Sequence, residues 1–410
     1  MNAKTVELHL LQSFPPSCVN RDGNNSPKDC NFGGARRARI SSQCLKRAIR
    51  EASVFEEIAG RKAARSRWWV DELAKDPRLA ETDDRAILVT LMSGLIGGIE
   101  DEGADGEVGT SESLPATEAG QAEGEATLRS KVLLHLPKTA GDAIVPVLLK
   151  HRDMLRKYRE AQENANGEKG KKKPKNPHKR AFERAVKELV EAVRRLPPAP
   201  DIALYGRMLA NNLGLNVDAS AQVAHAISTH KLSQEMDYWT AVDDFQPMAD
   251  PGAGMLGTAE FNASVFYRYA CINLKQLATN VGDANGSSEL TTKTVRAFLL
   301  ASYDAIPTGK LNGHAQFTPP FLALAVVRKK GVPLNLVNAF IDPIRPHGGD
   351  GLDAASATAL LEHLKRMRGM IPVDQAMYVM AHALPKTPAA DGVDSVTGYG
   401  ALVERVVGKL

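Results

Sequence analysis

The sequence lacks the features that mark several large classes of protein. It has no run of about 18 apolar residues, the length that a membrane-spanning helix requires. Glu7 and His9 interrupt the first apolar stretch, which is not typical of a signal peptide. The 4 cysteines form neither a C-x-x-C pair nor zinc-ligand spacing. We therefore expect a cytoplasmic protein with reduced thiols, no membrane segment and no bound metal.

Catalytic motifs are missing as well. There is no G-x-x-x-x-G-K-[ST], no H-E-x-x-H, no G-x-S-x-G and no strand-linked G-x-G-x-x-G. Asp243 and Asp244 are adjacent, so on a strand their carboxylates would point to opposite faces and could not share one metal ion. His225 and His230 lie in apolar, strand-like runs, where a structural role is the more frequent one. We predict a protein that is not an enzyme and needs no cofactor.

The composition is that of an ordinary globular protein. Of the 410 residues, 43% are hydrophobic and 24% are charged, and the length suits one large domain with insertions or two domains. The net charge of +4 is small. Any affinity for nucleic acid would therefore have to come from local clustering of cations.

Such a cluster lies between residues 20 and 50, where eight cations accompany two acids. Gly33 and Gly34, in its middle, can turn tightly and admit a close approach. Ser41 and Ser42 can cap a helix that begins at about Gln43. A glycine turn, a basic strand and a helix N-terminus together suit a phosphate cradle, and a solvated basic surface is the alternative. The cations are Arg21, Lys28, Arg36, Arg37, Arg39, Lys46, Arg47 and Arg50.

Two further segments have a strongly biased composition. Residues 100–127 contain many acids and small residues but no Lys or Arg, so they cannot bury enough apolar surface to offset their ordering entropy. We expect a mobile insertion there. Residues 166–180 combine Gly and Pro with a block of cations, which is typical of an exposed segment that contacts polyanions. The lysines concerned are Lys169, Lys171, Lys172, Lys173, Lys175 and Lys179.

Hydrophobic periodicity predicts an α+β fold. Residues 4–12 alternate as a half-buried strand, with His9 on its outward face. Trp68–Trp69 could stack on a nucleobase, but the helical spacing of the apolar residues that follow favours core packing. VFYRYACIN (265–273) resembles the central strand of a ferredoxin-like RNA-binding sheet, although it does not match the RNP1 consensus. Strands are also predicted at 202–210, 222–230 and 321–327, and helices at 43–59, 181–196, 291–305, 353–368 and 401–407.

Several stretches resemble one known family. NRDGNNSPKD and FGGARRARISSQCLKRA, within residues 20–48, are similar to the N-terminal signature of the CasC-type backbone subunit of the type I-E CRISPR Cascade complex. DIALYGRM (201–208), AHAISTH (224–230), WTAVDDFQ (239–246) and VFYRYACINL (265–274) follow in the order that the family has. The similarity covers residues 1 to about 275 and is weaker beyond.

The resemblance implies a hand-like architecture and a role in antiviral defence. Residues 1–59 would begin a ferredoxin-like (RRM-like) palm, residues 60–200 would form helical fingers, and residues 201–410 would supply a thumb hairpin near 205–222 and the rest of the palm. Members of the family stack head to tail along CRISPR guide RNA, bind other Cascade subunits, and present spacer bases for pairing with target DNA.

The resemblance also implies roles for individual residues. Arg21, Lys28, Ser41, Gln43 and Lys46 occupy positions that hold the guide backbone, and Met208 lies where the thumb wedges between bases. From the residue pattern alone we add Gly33, Gly34, Arg36, Arg37 and Arg47 to the RNA-binding set. The lysines of residues 166–180 would then contact target DNA. The acidic insertion and this lysine segment both depart from the family's better-known members.

Two alternative functions stay open. One is an RNA-processing endonuclease of the same broad superfamily, which would use His230 or the Asp243–Asp244 pair. The other is a stand-alone protein that binds single-stranded RNA as a monomer.

Overall fold

A computed structural model of the chain divides it into two compact units. One comprises Met1–Gly60 with Ser220–Leu410, and the other comprises Arg61–Ala219. The structure describes residues 4–60, 62–96, 133–167, 176–196, 199–209, 212–241, 244, 255–282, 289–345, 351–386 and 390–410. The acidic segment 100–127, Asp243, and Lys169, Lys171, Lys172, Lys173 and Lys175 lie outside the described residues.

Strands and helices follow one another in short groups along the described chain. The strands are β1 (Thr5–Ser17), β2 (Asp29–Phe32), β3 (Ala35–Ile40), β4 (Ala63–Ser66), β5 (Leu134–Pro137), β6 (Ala221–Val223), β7 (Ala226–Ser228), β8 (Glu235–Ala241), β9 (Met255–Asn273), β10 (Leu322–Lys330), β11 (Gln375–His382) and β12 (Asp394–Ser395). The helices are α1 (Ser42–Glu51), α2 (Ser53–Ala59), α3 (Trp69–Leu73), α4 (Asp84–Ile96), α5 (Gly141–Gly167), α6 (Lys179–Arg194), α7 (Pro200–Tyr205), α8 (Leu274–Asn280), α9 (Glu289–Asp304), α10 (Leu311–His314), α11 (Leu352–Met370) and α12 (Tyr399–Val407).

The first unit is built on one large sheet. Its strand order is β12-β11-β10-β1-β9-β7-β3-β2, and β6 and β8 also pair with β9. β1 lies in the middle and runs antiparallel to both β9 and β10. Helices pack on this sheet, including α11 against β1 and β9. The mixed α+β class predicted from the sequence is confirmed; the ferredoxin-like arrangement of the palm stays a prediction.

The central strand corrects one expectation about exposure. His9 was predicted on an outward face, but it is buried, and its Nδ1 lies 2.9 Å from the Tyr267 hydroxyl. Side chains from both faces of β1 are buried: Glu7, His9 and Leu11 on one face, and Val6, Leu8 and Leu10 on the other. The strand also continues past Pro15 and Pro16, where a shift in its register with β9 accommodates the two prolines.

The second unit is mainly helical. α3, α4, α5 and α6 enclose an apolar cluster that includes Leu91, Leu148 and Leu189. Trp69 belongs to this cluster and donates its indole N–H to the Leu134 carbonyl at 3.0 Å, as the predicted core packing requires. Trp68, by contrast, is 46% exposed. Of the described helices, none is long and apolar enough to span a membrane.

The segment near residues 202–210 differs from its predicted strand. Pro200 begins the short helix α7, and the buried carboxylate of Asp201 accepts the Ala63 backbone N–H at 3.0 Å. The chain then reverses through a single antiparallel bridge between Arg207 and Val217 rather than through two paired strands. These residues lie in the second unit. The expected thumb hairpin near 205–222 is therefore not a strand hairpin.

Candidate nucleic-acid interface

The basic stretch of residues 20–50 contains a tight hairpin. β2 and β3 pair along their length, and Gly33 and Gly34 connect them with φ values of 59° and 70°. Glycine adopts such left-handed values without strain. A Cβ on Gly33 would lie only 1.7 Å from the carbonyl oxygen of Ile341. The two glycines therefore shape a turn that lies directly against residue 341, and their contact with RNA stays a prediction.

Arg37 points into the protein rather than toward a ligand. Its side chain is 0% exposed. Its Nη1 donates to the carbonyls of Ser228 and Thr229 at 3.0 and 2.9 Å. Its Nη2 donates to those of Phe340 and Ile341 at 2.7 and 3.2 Å. Burial also lowers the pKa of the guanidinium. We therefore correct the assignment of Arg37 to RNA: it fastens β3 to distant parts of its own unit.

The other arginines of β3 lie at or near the surface. Arg36 is exposed and forms an ion pair with Asp29 of the paired strand β2, two residues from its register partner Asn31. Arg39 is half-buried and donates from Nε to the backbone carbonyl of Asp29 at 3.0 Å. Contacts with β2 therefore orient both guanidinium groups, and the Arg36 charge is partly offset by a carboxylate.

Arg21 and Lys28 lie at the two ends of a small ordered loop. The Lys28 backbone N–H donates to the Asn20 carbonyl at 2.8 Å. Inside the loop, the Asp22 carboxylate accepts two backbone N–H groups at 2.8 and 3.0 Å. Arg21 donates from Nη1 to the Asn25 side-chain oxygen at 2.6 Å. The loop thus carries two cations, and its single aspartate is used to close its own backbone.

The helix that follows begins where the sequence predicts. Ser41 is the N-cap of α1, and its Oγ accepts the Cys44 N–H at 3.4 Å. Leu45 and Ile49 are buried on the inner face of the helix. Gln43 is exposed on the first turn. The capping role of Ser41 is confirmed, while its contact with RNA, like that of Gln43, stays a prediction.

His225 supports the first turn of this helix. Its Nδ1 accepts the Ser42 backbone N–H at 3.0 Å. Burial lowers the pKa of His225, and the positive charges of Arg39 and Lys28 lower it further. A neutral ring is the form that can accept this hydrogen bond. His225 therefore has a structural role, as its sequence context predicts.

Cations from different elements converge near Cys44. Burial raises the pKa of this thiol, while the charges of Lys28 and Arg47 lower it. Lys28 comes from the loop and Arg47 from α1, so the fold brings the two charges to one place. Lys46 is half-buried on the same helix, and burial lowers its pKa. Lys28 and Arg47 of the predicted site thus lie near the same thiol, and Lys46 precedes Arg47 on α1.

Lys310 is a cation that the sequence reasoning missed. Burial raises the pKa of the Cys18 thiol, and the positive charges of Lys310 and Arg21, which lie near it, oppose that rise. The Lys310 backbone is in the left-handed region, with φ of 46° and ψ of 32°, which is uncommon for a residue other than glycine. The sequence feature that could have drawn attention to Lys310 is its position after Gly309, in a loop that also contains Pro307.

Met208 is the most exposed large apolar residue of the described second unit, at 86%. Its neighbours are fixed: Arg207 donates from Nε to the Leu215 carbonyl at 2.7 Å, and the Leu209 N–H donates to the Asn216 side chain at 2.6 Å. An apolar side chain is thereby held out into solvent on an ordered turn. This geometry suits the predicted wedge between bases.

The predicted DNA-contacting lysines can be placed only at one position. Lys179 is the first residue of α6.

Asp244 is described and exposed, while its proposed metal-binding partner Asp243 is not described. The endonuclease alternative therefore gains no assembled carboxylate pair from the described part of the chain.

His230 also fits a structural role better than a catalytic one. One ring nitrogen, Nδ1, lies 2.9 Å from the Lys231 carbonyl, and Nε2 accepts the Val265 N–H at 3.2 Å. Burial lowers the pKa of the ring. Both nitrogens are thus engaged with backbone, which leaves neither in position to accept a proton from a substrate.

Among the described residues, one carboxylate cluster has the spacing of a metal site: Glu81, Asp83 and Asp84. Arg152 and Arg156 approach all three. Arg152 bonds Asp84 at 2.9 Å, and Arg156 bonds Asp83 at 2.5 Å and Glu81 at 2.7 Å. The carboxylates therefore belong to an ion network whose cations are arginines.

Comparison with solved structures defines the class of this fold. A chain of a "CRISPR RNA-guided surveillance complex, pre-nicking" is 30% identical, with a TM-score of 0.78 and 99% of each chain covered. A chain of a "CRISPR RNA-guided surveillance complex" is 26% identical, with a TM-score of 0.68, and the match covers 99% of this chain and 100% of the other.

The family model "CT1975-like protein" matches residues 6–397, and the chain belongs to that family. A search of curated proteins gave no match.

Proposed function

We propose that this chain is a non-catalytic subunit of a type I-E CRISPR Cascade complex, and that it binds guide RNA. The observation that carries the proposal is the match over 99% of both chains to a chain of an RNA-guided surveillance complex. The converging cations of residues 20–50 give that resemblance a physical basis in this sequence. As in the CasC-type family, copies of the chain would line the guide and present its bases to target DNA.

The site holds RNA by its phosphates. Arg21, Lys28, Lys46 and Arg47 supply positive charge on ordered backbone, and Lys310 adds a cation near Arg21. Contacts of this kind fix the position of a strand without reading its bases. Base pairing between guide and target then carries the sequence specificity. A protein with this task needs no nucleophile, metal or cofactor.

The decisive experiment is co-expression with a guide array and candidate Cascade subunits, followed by purification of the complex. We expect guide RNA to co-purify with the wild-type chain. Lys28→Glu with Lys46→Glu should abolish RNA recovery, because two attractive charges become repulsive at adjacent points of the strand. Single Lys→Ala changes should each lower the salt dependence of binding, log K against log salt, by about 0.7.

A matched control carries the same charge change elsewhere. Lys293→Glu with Lys365→Glu replaces two exposed lysines that form ion pairs with Glu289 and Asp391 in the first unit. This control should keep guide RNA. If it loses RNA as completely as the Lys28/Lys46 variant does, net charge rather than the site explains binding.

Target DNA is tested separately. Changing Lys171, Lys172, Lys173 and Lys175 to Ala should leave the guide complex intact and weaken capture of duplex DNA, with a flatter salt dependence. Loss of guide RNA from this variant would contradict the proposed division between the two basic regions.

The two alternatives predict different outcomes of the same purification. A stand-alone binder would bind unrelated single-stranded RNA as a monomer and would form no complex of defined composition. An endonuclease would shorten a labelled guide precursor, and His230→Ala would stop it. We expect neither cleavage nor monomeric binding.

A further inference from the structure

The turn between β2 and β3 lies away from most of the sheet. We call the two strands and their turn, residues 29–40, the basic hairpin. β2 is at the edge of the sheet, and β3 pairs with β7 at Arg39 and Ile40, the end of β3 that is farther from the turn. Leu232 adds one backbone bond, from its N–H to the Arg36 carbonyl at 2.8 Å. The position of the turn therefore depends mainly on contacts outside the strand pairing.

A single later stretch of the chain supplies such contacts. We call residues 334–344 the bridging segment. The carbonyl oxygen of Ile341 lies 1.7 Å from the place that a Cβ on Gly33 would take. Nη2 of Arg37 donates to the carbonyls of Phe340 and Ile341 at 2.7 and 3.2 Å. The bridging segment thus contacts the turn of the basic hairpin and also holds a side chain of β3.

The other end of the bridging segment is held by Tyr267 of β9, which is buried. Its hydroxyl accepts the Leu336 N–H at 3.0 Å and lies 3.3 Å from the side-chain oxygen of Asn335. Asn335 caps the short 3-10 helix Leu336–Phe340, and the same oxygen accepts the Val337 N–H at 3.1 Å. One phenol hydroxyl therefore orders the start of the helix whose last residue carries a carbonyl that Arg37 uses.

A buried polar cluster surrounds this hydroxyl. Nδ1 of His9 lies 2.9 Å from the Tyr267 hydroxyl. Glu7, two residues earlier on β1, accepts the Leu334 N–H at 2.6 Å and Nε of Arg328 at 2.8 Å. Backbone N–H groups of the bridging segment are thus bound by two buried side chains of the sheet, at positions two residues apart.

The helix between the two sets of contacts is short and well packed. Leu336 and Phe340, at its ends, are both buried in the apolar core. Four residues at a 3-10 rise of about 2 Å span roughly 8 Å. Close-packed interiors have low compressibility and transmit displacements. A shift at Leu336 should therefore move the carbonyls of Phe340 and Ile341 rather than be absorbed within a loop.

We propose that Tyr267 is a positioning residue for guide RNA. Through the bridging segment, its hydroxyl determines where the turn of the basic hairpin and the exposed arginine of β3 lie. Tyr267 is buried, so it acts on RNA through these residues and not by contact. The inference rests on the proposed function, because it concerns RNA only if the basic hairpin holds the guide.

The first test compares two Tyr→Phe variants of the full chain without RNA. Tyr267→Phe removes the hydroxyl that binds Leu336. Tyr378→Phe makes the same change at another buried tyrosine, whose hydroxyl donates to Asp374 at 2.9 Å, outside the bridging segment. Hydrogen exchange measured by mass spectrometry should rise severalfold in residues 29–40 of Tyr267→Phe and stay at the wild-type rate in Tyr378→Phe. Equal exchange in the two variants would overturn the proposal.

The second test runs in the opposite direction, because coupling between two sites is reciprocal. Gly33 and Gly34 both have positive φ, so alanine strains the backbone at either position. A Cβ on Gly33 would collide with Ile341, whereas a Cβ on Gly34 would meet no described atom within 4 Å. Gly33→Ala should raise exchange of the Leu336 amide, and Gly34→Ala should not. The same rise in both variants would contradict a route through Ile341.

The third test measures RNA affinity with a short single strand that binds one copy. Tyr267→Phe should weaken binding by about 3- to 30-fold, and Tyr378→Phe should stay within about twofold of wild type. The slope of log K against log salt should also fall in Tyr267→Phe, because a displaced cation no longer reaches its phosphate. A variant that merely lowered the folded fraction would bind less RNA per protein with the wild-type slope. That result would overturn the positioning role.

The exchange and affinity measurements separate this inference from the proposed function. If exchange changes as expected but both Tyr→Phe variants bind RNA as wild type does, the bridging segment positions the basic hairpin and the assignment of that hairpin to guide RNA is wrong. If exchange in residues 29–40 is the same in both variants, the route from Tyr267 is wrong whatever RNA binding shows.

Discussion

Arginines have different surroundings in the two units. In the second unit, Arg152 and Arg156 come from one helix and lie against three carboxylates, Glu81, Asp83 and Asp84. Each guanidinium bonds two of these acids. Side chains that are neutralised in this manner have little charge left for a ligand, and the network serves to hold α5 against the start of α4.

In the first unit, the stretch of residues 20–50 has eight cations and only two acids. Of these acids, Asp22 closes its own loop and Asp29 pairs with Arg36. Within the stretch itself, cations thus outnumber acids by eight to two. The comparison shows that the number of cations in a segment is not enough to predict anion binding. The number of carboxylates that can pair with those cations must be known as well.

The largest effect should come from Arg37, which does not fit this comparison because it is buried and donates its hydrogen bonds to backbone carbonyls. Arg37→Ala would leave backbone carbonyls from two distant segments without their donor. We expect a loss of about 3–5 kcal/mol in unfolding free energy, measured by urea denaturation. Arg36→Ala, its surface neighbour, should cost about 0–1 kcal/mol. Equal costs would show that Arg37 does not fasten the unit.

Arginines of the second unit test the comparison directly. Arg152→Gln should lower the unfolding free energy by about 2 kcal/mol, because Asp84 is buried and loses a charged partner. Guide RNA binding by the folded variant should not change. Arg47→Gln should show the reverse: little effect on stability and weaker RNA binding with a smaller salt dependence. RNA loss in Arg152→Gln would place the ion network in the binding site.

Substitutions at Met208 test whether the second unit contacts RNA through an exposed apolar side chain rather than through a charged one. Met208→Asp should leave stability within about 0.5 kcal/mol, since the side chain is exposed. The nuclease footprint of bound guide RNA should change its regular spacing, because an apolar wedge has been replaced by a carboxylate. Met208→Leu, which keeps the apolar contact, should retain the wild-type footprint. An unaltered footprint in the Asp variant would remove Met208 from the site.

The smallest effect is expected from the acidic segment. Deleting residues 103–124 should shift the melting temperature by no more than a few degrees and leave guide binding nearly unchanged. Tighter RNA binding by the deletion variant would mean that the acids of this segment compete with RNA for the cations of residues 20–50. A large fall in melting temperature would show instead that the segment is packed.

Local signals in the sequence predicted much of the framework. Ser41 caps α1 because a hydroxyl one residue before a helix can accept a first-turn N–H, and that rule needs no tertiary information. The helices α9, α11 and α12 and the strand β10 also follow from their apolar spacing. The expected strand near 202–210 failed since Pro200 and the buried Asp201 begin a helix there, and a short apolar run fits either element.

The sequence shows where cations concentrate, but it does not show which of them are buried in the fold. Arg37 looks like its neighbour Arg36 in the sequence, and its burial depends on carbonyls about 190 to 300 positions away. His9 was misplaced for the same reason, because the layer that covers it comes from the end of the chain. Lys310 has no basic neighbours within its loop, so no local pattern links it to Arg21. Such assignments require tertiary contacts.

The closeness of Gly33 to Ile341 has a consequence for how the protein is made. The turn that shapes the basic stretch is completed by a carbonyl more than 300 residues later, and Arg37 also bonds that segment. A ribosome therefore synthesises the basic residues early and supplies their support late. A nascent chain therefore carries the charges before it has the finished geometry, which is complete only after the segment around Ile341 has been made.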